Sequence, residues 1–192
     1  MALEDTKDKI VSVATKLFSR FGFQKTSMDD IAKFARKAKG SLYYHFANKE
    51  ELFREVVVKE VDEIKSKLSE VVNNSEYSAE GKLKKYMLTR MELMQHATNY
   101  QDTMHPGEID HYEFTDDIRH DFDVWEKERL ITIINDGVEH GEFNIEIDTG
   151  VLSDIFIMIT KGLEIPFFVQ GKYEHYLPHF DGMAKIILKG LK

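Results

Sequence analysis

The chain has 192 residues, 42% of them apolar, and no cysteine, so it can bury a sizeable core while disulfides and thiolate metal sites are excluded. Its net charge of −8 is unevenly spread: residues 1–49 hold ten Lys and Arg against five Asp and Glu, a net +5, and the remainder carries −13. A basic leading segment on an acidic body is the asymmetry expected when one end meets phosphates. The opening MALEDTKDK lacks the apolar core of a signal peptide, and the most apolar later stretch, 155–159, is far shorter than the roughly 18–20 residues of a membrane span. The expectation is a cytoplasmic protein with no membrane partner.

A first helix is expected from Asp5 or Thr6, both competent caps, to Phe21, with Ile10, Ala14, Leu17, Phe18 and Phe21 at helical spacing and Gly22 just past its end. Ser27 and Asp30 then have capping-box spacing, and Met28, Ile31, Ala32 and Ala35 form the apolar face of a second helix. A third helix, 39–46, turns Leu42 and Phe46 inward and leaves Lys39, Gly40, Ser41, Tyr43, Tyr44 and His45 outside. That outer face is basic, hydroxyl-rich and aromatic, with a glycine that permits close approach; a DNA major groove and its phosphates ask for such donors and stacking surfaces. An ordinary helical hairpin with half-buried tyrosines is the plainer alternative. The cluster of Lys33, Arg36, Lys37 and Lys39 at the turn favours a helix-turn-helix.

These residues resemble the tetracycline-repressor-like (TetR) family of transcriptional regulators. The resemblance rests on Ala14, Leu17, Phe18, Phe21, Gly22, Phe23 and Thr26–Met28, on Ile31, Ala32 and Ala35, and on the run from Lys39 to Phe46 followed by Asn48–Leu52. Three positions depart from the family pattern: Arg36 replaces the turn glycine, Lys37 an apolar residue, and Ala38 a Ser or Thr cap. A non-glycine residue at positive φ is strained, and a lost cap costs about 0.5–2 kcal/mol. The resemblance implies an all-α protein with a helix-turn-helix DNA-binding domain at 1–49 and a helical effector-binding and dimerisation domain at 50–192. It further implies a homodimeric repressor on a palindromic double-stranded operator, a small-molecule effector, no catalysis and no cofactor. Under it, Ser27 and Lys49 join Lys39, Gly40, Ser41, Tyr43, Tyr44 and His45 as DNA contacts.

Asn48 is placed to cap a long helix reaching about Val72, with Leu52, Phe53, Val56, Val57, Val61, Ile64 and Leu68 as its stripe. Further helices are expected over about 78–99, from a Thr115 cap to Gly141, from Asp148 or Thr149 to about 168, and over 175–191. A short one over 108–112 completes an all-α chain of nine or so helices without strands or repeats. The last two long helices are apolar on more than one side, Ile157 and Met158 flanking Leu152, Ile155, Phe156 and Ile159. Such helices need burial on both sides, so they are expected to build a two-fold homodimer interface.

Among enzyme chemistries, a phosphate loop and a G-x-S-x-G elbow are both missing. Glu108/His111 and Asp117/His120 have the E-x-x-H type of spacing used by di-metal helical bundles, with Glu92 and Glu164 as nominal further ligands. A metal-binding helical enzyme is therefore the alternative function, while the leading expectation assigns no metal. On the regulator reading, an effector cavity is expected among Met87, Met91, Met94, Tyr112, Phe114, Trp125, Met158 and Phe167, with His96 or His111 as polar anchors. Residue by residue, filling a core is the favoured reading of these side chains.

Overall fold

A computed structural model describes residues 2–105 and 112–191. Two compact units divide the chain: Met1–Asp62 with Ala97–Ile118, and Glu63–His96 with Arg119–Lys192. Among the described residues all regular structure is helical.

The first unit opens with α1 (Ala2–Phe21), α2 (Met28–Ala35) and α3 (Lys39–His45), followed by the start of α4 (Lys49–Val72). α1 begins earlier than its Asp5 and Thr6 signals suggest; Thr6 lies inside it and its hydroxyl accepts a bond from Lys37 Nζ at 3.0 Å. The α2 cap is the expected capping box, Asp30 N donating to Ser27 Oγ at 3.1 Å and Ser27 N to the Asp30 carboxylate at 3.3 Å. Asn48 likewise takes the Glu51 N–H at 2.7 Å, and Gly22 ends α1 at φ +79°. Ile10, Ala14, Phe18, Ile31, Ala35, Leu42, Phe46 and Phe53 are buried together as the core of this unit. Phe21, by contrast, is exposed, with the Arg20 guanidinium lying 5.2 Å from its ring centre.

Arg36 ends α2 in the left-handed region at φ 55°, ψ 45°, as its place in the turn predicts. Its N–H reaches Lys33 O and the Lys37 N–H reaches Ala32 O, at 3.1 and 3.0 Å, so the turn is closed without glycine. Ala38, at the start of α3, makes no side-chain cap. Arg36→Gly should relieve the Cβ clash and raise stability by about 0.5–1 kcal/mol, net of glycine's entropy cost. A thermal melt of the DNA-free protein checks this: an increase of ~2–4 °C is expected, and a decrease would mean that the turn holds no strain.

The same unit takes in α6 (Thr98–Asp102), a 3₁₀ turn at Glu113–Thr115 and the first turn of α7 (Asp116–Glu139). The α4 side chain Glu60 caps α6, accepting Tyr100 N at 2.8 Å and Asn99 Nδ2 at 2.6 Å. Arg54, also on α4, donates to Phe114 O and grips both oxygens of Asp117 at 2.5 and 2.6 Å. Thr115 does not cap α7; it sits in the 3₁₀ turn, with its hydroxyl bonded back to Tyr112 O. The expected short helix at 108–112 falls mostly outside the described residues.

The second unit holds the rest of α4 and α7, with α5 (Ala79–His96), α8 (Thr149–Glu164), α9 (Tyr173–Tyr176) and α10 (Phe180–Lys189). The single helix expected over 78–99 is broken at Ala97. Asp148 caps α8 through the Val151 N–H at 3.0 Å. α8 stops at Glu164 and passes into a π turn, Ile165–Val169, where Pro166 removes a backbone donor. The expected last helix is split by Pro178 into α9, a 3₁₀ turn and α10. Leu152, Phe156 and Ile157 face inward on α8, whereas Val151, Met158 and Ile159 face outward; Ile186 of α10 is 75% exposed. Ile157 thus belongs to the core and not to the outer stripe.

Candidate functional site

Leu42 and Phe46 anchor α3 in the core and turn its other side to solvent. Lys39, Gly40, Tyr43 and Tyr44 are exposed and Ser41 and His45 half-buried, so all six expected contacts lie along one short helix. Tyr43 is 45% and Tyr44 73% exposed, an unusual display for aromatic rings on so small a unit. Lys39 pairs with Asp29 of α2 at 2.6 Å, and that contact holds its ammonium above the ordinary lysine value. A methyl group at Gly40 would meet nothing within 4 Å, so the fold itself places no demand for glycine there. Its cost in a helix is offset only if another surface comes close at that point.

Ser27 is exposed and already occupied by its capping box. Lys49 is half-buried: its Nζ donates to Phe23 O at 2.9 Å and stands 4.2 Å from the Phe23 ring centre. It therefore fastens the α1–α2 turn to the start of α4, a role invisible in the sequence because the two residues lie 26 positions apart.

The expected effector residues are dispersed. Met91 and Phe167 share a buried cluster with Tyr173 and Phe180. Met94 is buried, and Met87 and Trp125 are half-buried, in the same unit. Tyr112 belongs to the first unit, packed on Phe23 and Phe53 with ring centres 5.7 Å from each, and Phe114 joins it. His96 is exposed, Met158 is 63% exposed, and His111 lies outside the described residues. Two open grooves of the second unit, about 450 and 380 Å³, are lined by other residues, among them Lys82, Thr132 and Asp136 in one and Lys67, Tyr77 and Lys85 in the other.

What the sequence did not reveal is a buried charge cluster in the second unit. Arg90 of α5 donates to both oxygens of Glu126 on α7, at 2.7 and 2.9 Å, and to Oε1 of Glu164 on α8, at 2.7 Å. The Tyr86 hydroxyl donates to Glu126 Oε1 at 2.9 Å. Arg90 and Glu126 are 1% exposed and Glu164 3%. Burial pushes the Glu164 carboxyl up and the Tyr86 phenol well up, since a low-dielectric interior penalises their charged forms. The only signal in the sequence is charge at positions otherwise inside apolar patterns, and that alone does not choose partners.

The module defines a class: an all-helical protein carrying a helix-turn-helix with its second helix turned outward. Residues 10–56 match the family model described as bacterial regulatory proteins, tetR family. The chain is 44% identical over 71 residues to the uncharacterized HTH-type transcriptional regulator YhgD of Bacillus subtilis, covering 37% of each protein. It is 51% identical over 51 residues to the biofilm operon icaADBC HTH-type negative transcriptional regulator IcaR of Staphylococcus epidermidis, covering 27% of this chain and 28% of that one. The matched stretch therefore spans no more than 37% of the length of these relatives. The fold extends much further: 96% of this chain superposes on 98% of the regulator FadR of Bacillus subtilis, solved in complex with stearoyl-CoA, at a TM-score of 0.73 and 15% identity. Residues 10–56 are thus similar to the DNA-binding segment of the TetR family of bacterial regulators.

The metal-enzyme alternative falls. Those relatives are transcriptional regulators. Two of its nominal ligands are also committed elsewhere: Asp117 is held by Arg54, which lowers its carboxyl below the ordinary range, and Glu164 is held by Arg90. Glu108 and His111 lie outside the described residues. No described helix is long and apolar enough to cross a membrane.

Proposed function

We propose that the chain is a cytoplasmic, homodimeric transcriptional repressor that binds a palindromic operator and releases it when a small molecule binds. The observation that carries this reading is the outward face of α3, where Lys39, Gly40, Tyr43 and Tyr44 stand exposed on a helix anchored by the buried Leu42 and Phe46. Residues 1–49 form the DNA-binding domain, with Ser27, Ser41, His45 and Lys49 completing the contact set, and residues 50–192 serve effector binding and dimerisation. The negative regulator IcaR supports repression, and FadR with its stearoyl-CoA supports a small-molecule effector.

The second copy is expected on the outer faces of α8 and α10, where Val151, Met158, Ile159 and Ile186 are exposed apolar residues. Singly exposed apolar side chains are ordinary, but repeats along two helices of one unit ask for a partner. A two-fold dimer presents two copies of α3 to half-sites about one helical turn or more apart. Ile186→Glu touches no core residue, so it should keep the fold, give monomers in sedimentation at micromolar concentration, and lower affinity for the gene's own upstream region at least ~100-fold by losing the second half-site. A wild-type monomer, or a monomeric variant that binds as tightly as wild type, would overturn the dimeric reading.

A further inference from the structure

Between positions 31 and 49 the chain carries Lys33, Arg36, Lys37, Lys39 and Lys49 and no acidic residue. Packing divides these cations. Lys37 donates to Thr6 Oγ1 at 3.0 Å, Lys39 pairs with Asp29 at 2.6 Å, and Lys49 donates to Phe23 O at 2.9 Å. Those three ammonium groups are engaged inside the unit before any partner arrives. Lys33 and Arg36 are exposed, and neither side chain has a hydrogen bond, ion pair or ring contact among the described residues.

Arg36 is held there at a cost to the fold. Among the described residues it alone, apart from glycines, takes a positive φ. Its N–H and that of Lys37 return to the α2 carbonyls of Lys33 and Ala32, so the backbone of the turn is closed whatever the side chain does. Glycine adopts this left-handed conformation without steric penalty and asparagine with little. An arginine whose guanidinium touches nothing in the free protein is therefore the costlier occupant for folding alone. Backbone strain of this kind gathers at binding sites, where the side chain it carries is used.

Position supplies the partner. When the second helix of a helix-turn-helix lies in the major groove, the first crosses the sugar-phosphate backbone. The turn joining α2 to α3 then stands at the edge of the groove, over phosphates, while base edges face the exposed side of α3. A guanidinium at that edge offers paired N–H donors that match two phosphate oxygens, and its charge does not depend on pH.

We propose that Arg36 is a DNA phosphate contact, an affinity-determining residue that the left-handed turn holds against the backbone at the groove edge. This rests on the operator-binding reading above and adds a residue absent from its contact set. Arginine at this turn exchanges stability of the free protein for affinity in the complex.

The test follows the anisotropy of two labelled duplexes over a series of salt concentrations, one from the gene's own upstream region and one of the same composition in scrambled order. Arg36→Gly and Arg36→Asn remove the charge and leave a residue suited to the turn, so both should fold. Each should bind both duplexes on the order of 10-fold more weakly, with the slope of log K against log salt flatter by about 0.9 per subunit. Arg36→Lys keeps the charge and should keep the wild-type slope. Neutral variants with wild-type affinity and slope would overturn the assignment. So would a loss confined to the upstream duplex, which marks a base contact, or an Arg36→Lys slope as flat as that of Arg36→Asn. Wild-type protein that binds neither duplex even at low salt would overturn the operator-binding reading too, whereas wild-type binding that is indifferent to Arg36 sinks this contact alone.

Discussion

Tyr43→Ala with Tyr44→Ala is expected to cut operator affinity by on the order of 100-fold or more while leaving the melting temperature nearly unchanged. Both rings project from α3 into solvent, and the buried Leu42 and Phe46 tie that helix to the core. Neither hydroxyl has a hydrogen bond among the described residues, so the surface loses little in the free state. On DNA each side chain can meet thymine methyls, sugars or phosphates, and such contacts contribute about 1–3 kcal/mol per half-site, counted twice in a dimer. Fluorescence anisotropy at fixed salt is the measurement. Unchanged affinity in a folded double variant would remove α3 from the mechanism. Lys49→Ala adds a second readout, because its ammonium already bridges to Phe23 O. A phosphate contact would lower the salt slope by about 1 per subunit, whereas a lysine that only holds the Phe23 turn would weaken binding without altering that slope.

Arg90→Met is expected to destabilise the second unit by about 3–5 kcal/mol, because it strands two carboxylates in the interior. The corresponding drop in melting temperature is on the order of 10 °C. Replacing the whole cluster, as Arg90→Met with Tyr86→Phe, Glu126→Leu and Glu164→Leu, should restore most of that loss, since no charge or hydroxyl is then left unpaired. Urea unfolding of both variants checks the pair; equal loss in both would mean that packing, not charge, sets the penalty.

The pH dependence follows from the raised Glu164 carboxyl. A carboxyl raised above its unfolded value, about 4.3, stabilises fully below that value and loses the contribution as pH rises through its folded value. Glu164→Gln, which cannot ionise, should therefore melt above wild type at about pH 8 and lose the advantage toward about pH 4. An advantage independent of pH would show that Glu164 stays in one protonation state throughout.

The sequence by itself determined what depends on neighbours along the chain. The Ser27–Asp30 box, the Asn48 and Asp148 caps, and Gly22 past α1 are all interactions across three or four residues, and the structure has each. Helical spacing of apolar residues likewise marked the α3 core positions and, with them, the outward face. Arg36 was legible only through the family resemblance, whose pattern has a glycine at that turn position, and it does take the left-handed conformation there.

Only the tertiary structure decided which distant groups meet. Glu126 and Glu164 lie 36 and 74 positions from Arg90, and Glu60 caps an α6 helix about 40 positions away. Charged residues at such separations read as solvent-facing until packing buries them, because desolvation and pairing energies depend on three-dimensional surroundings and not on spacing. The same holds for Tyr112, drawn to Phe23 and Phe53, and for Met158, turned outward when Phe156 and Ile157 took the inner face of α8. Periodicity identifies an apolar helix, but which side of it meets its own core is settled by the shape and volume of the neighbours that pack against it.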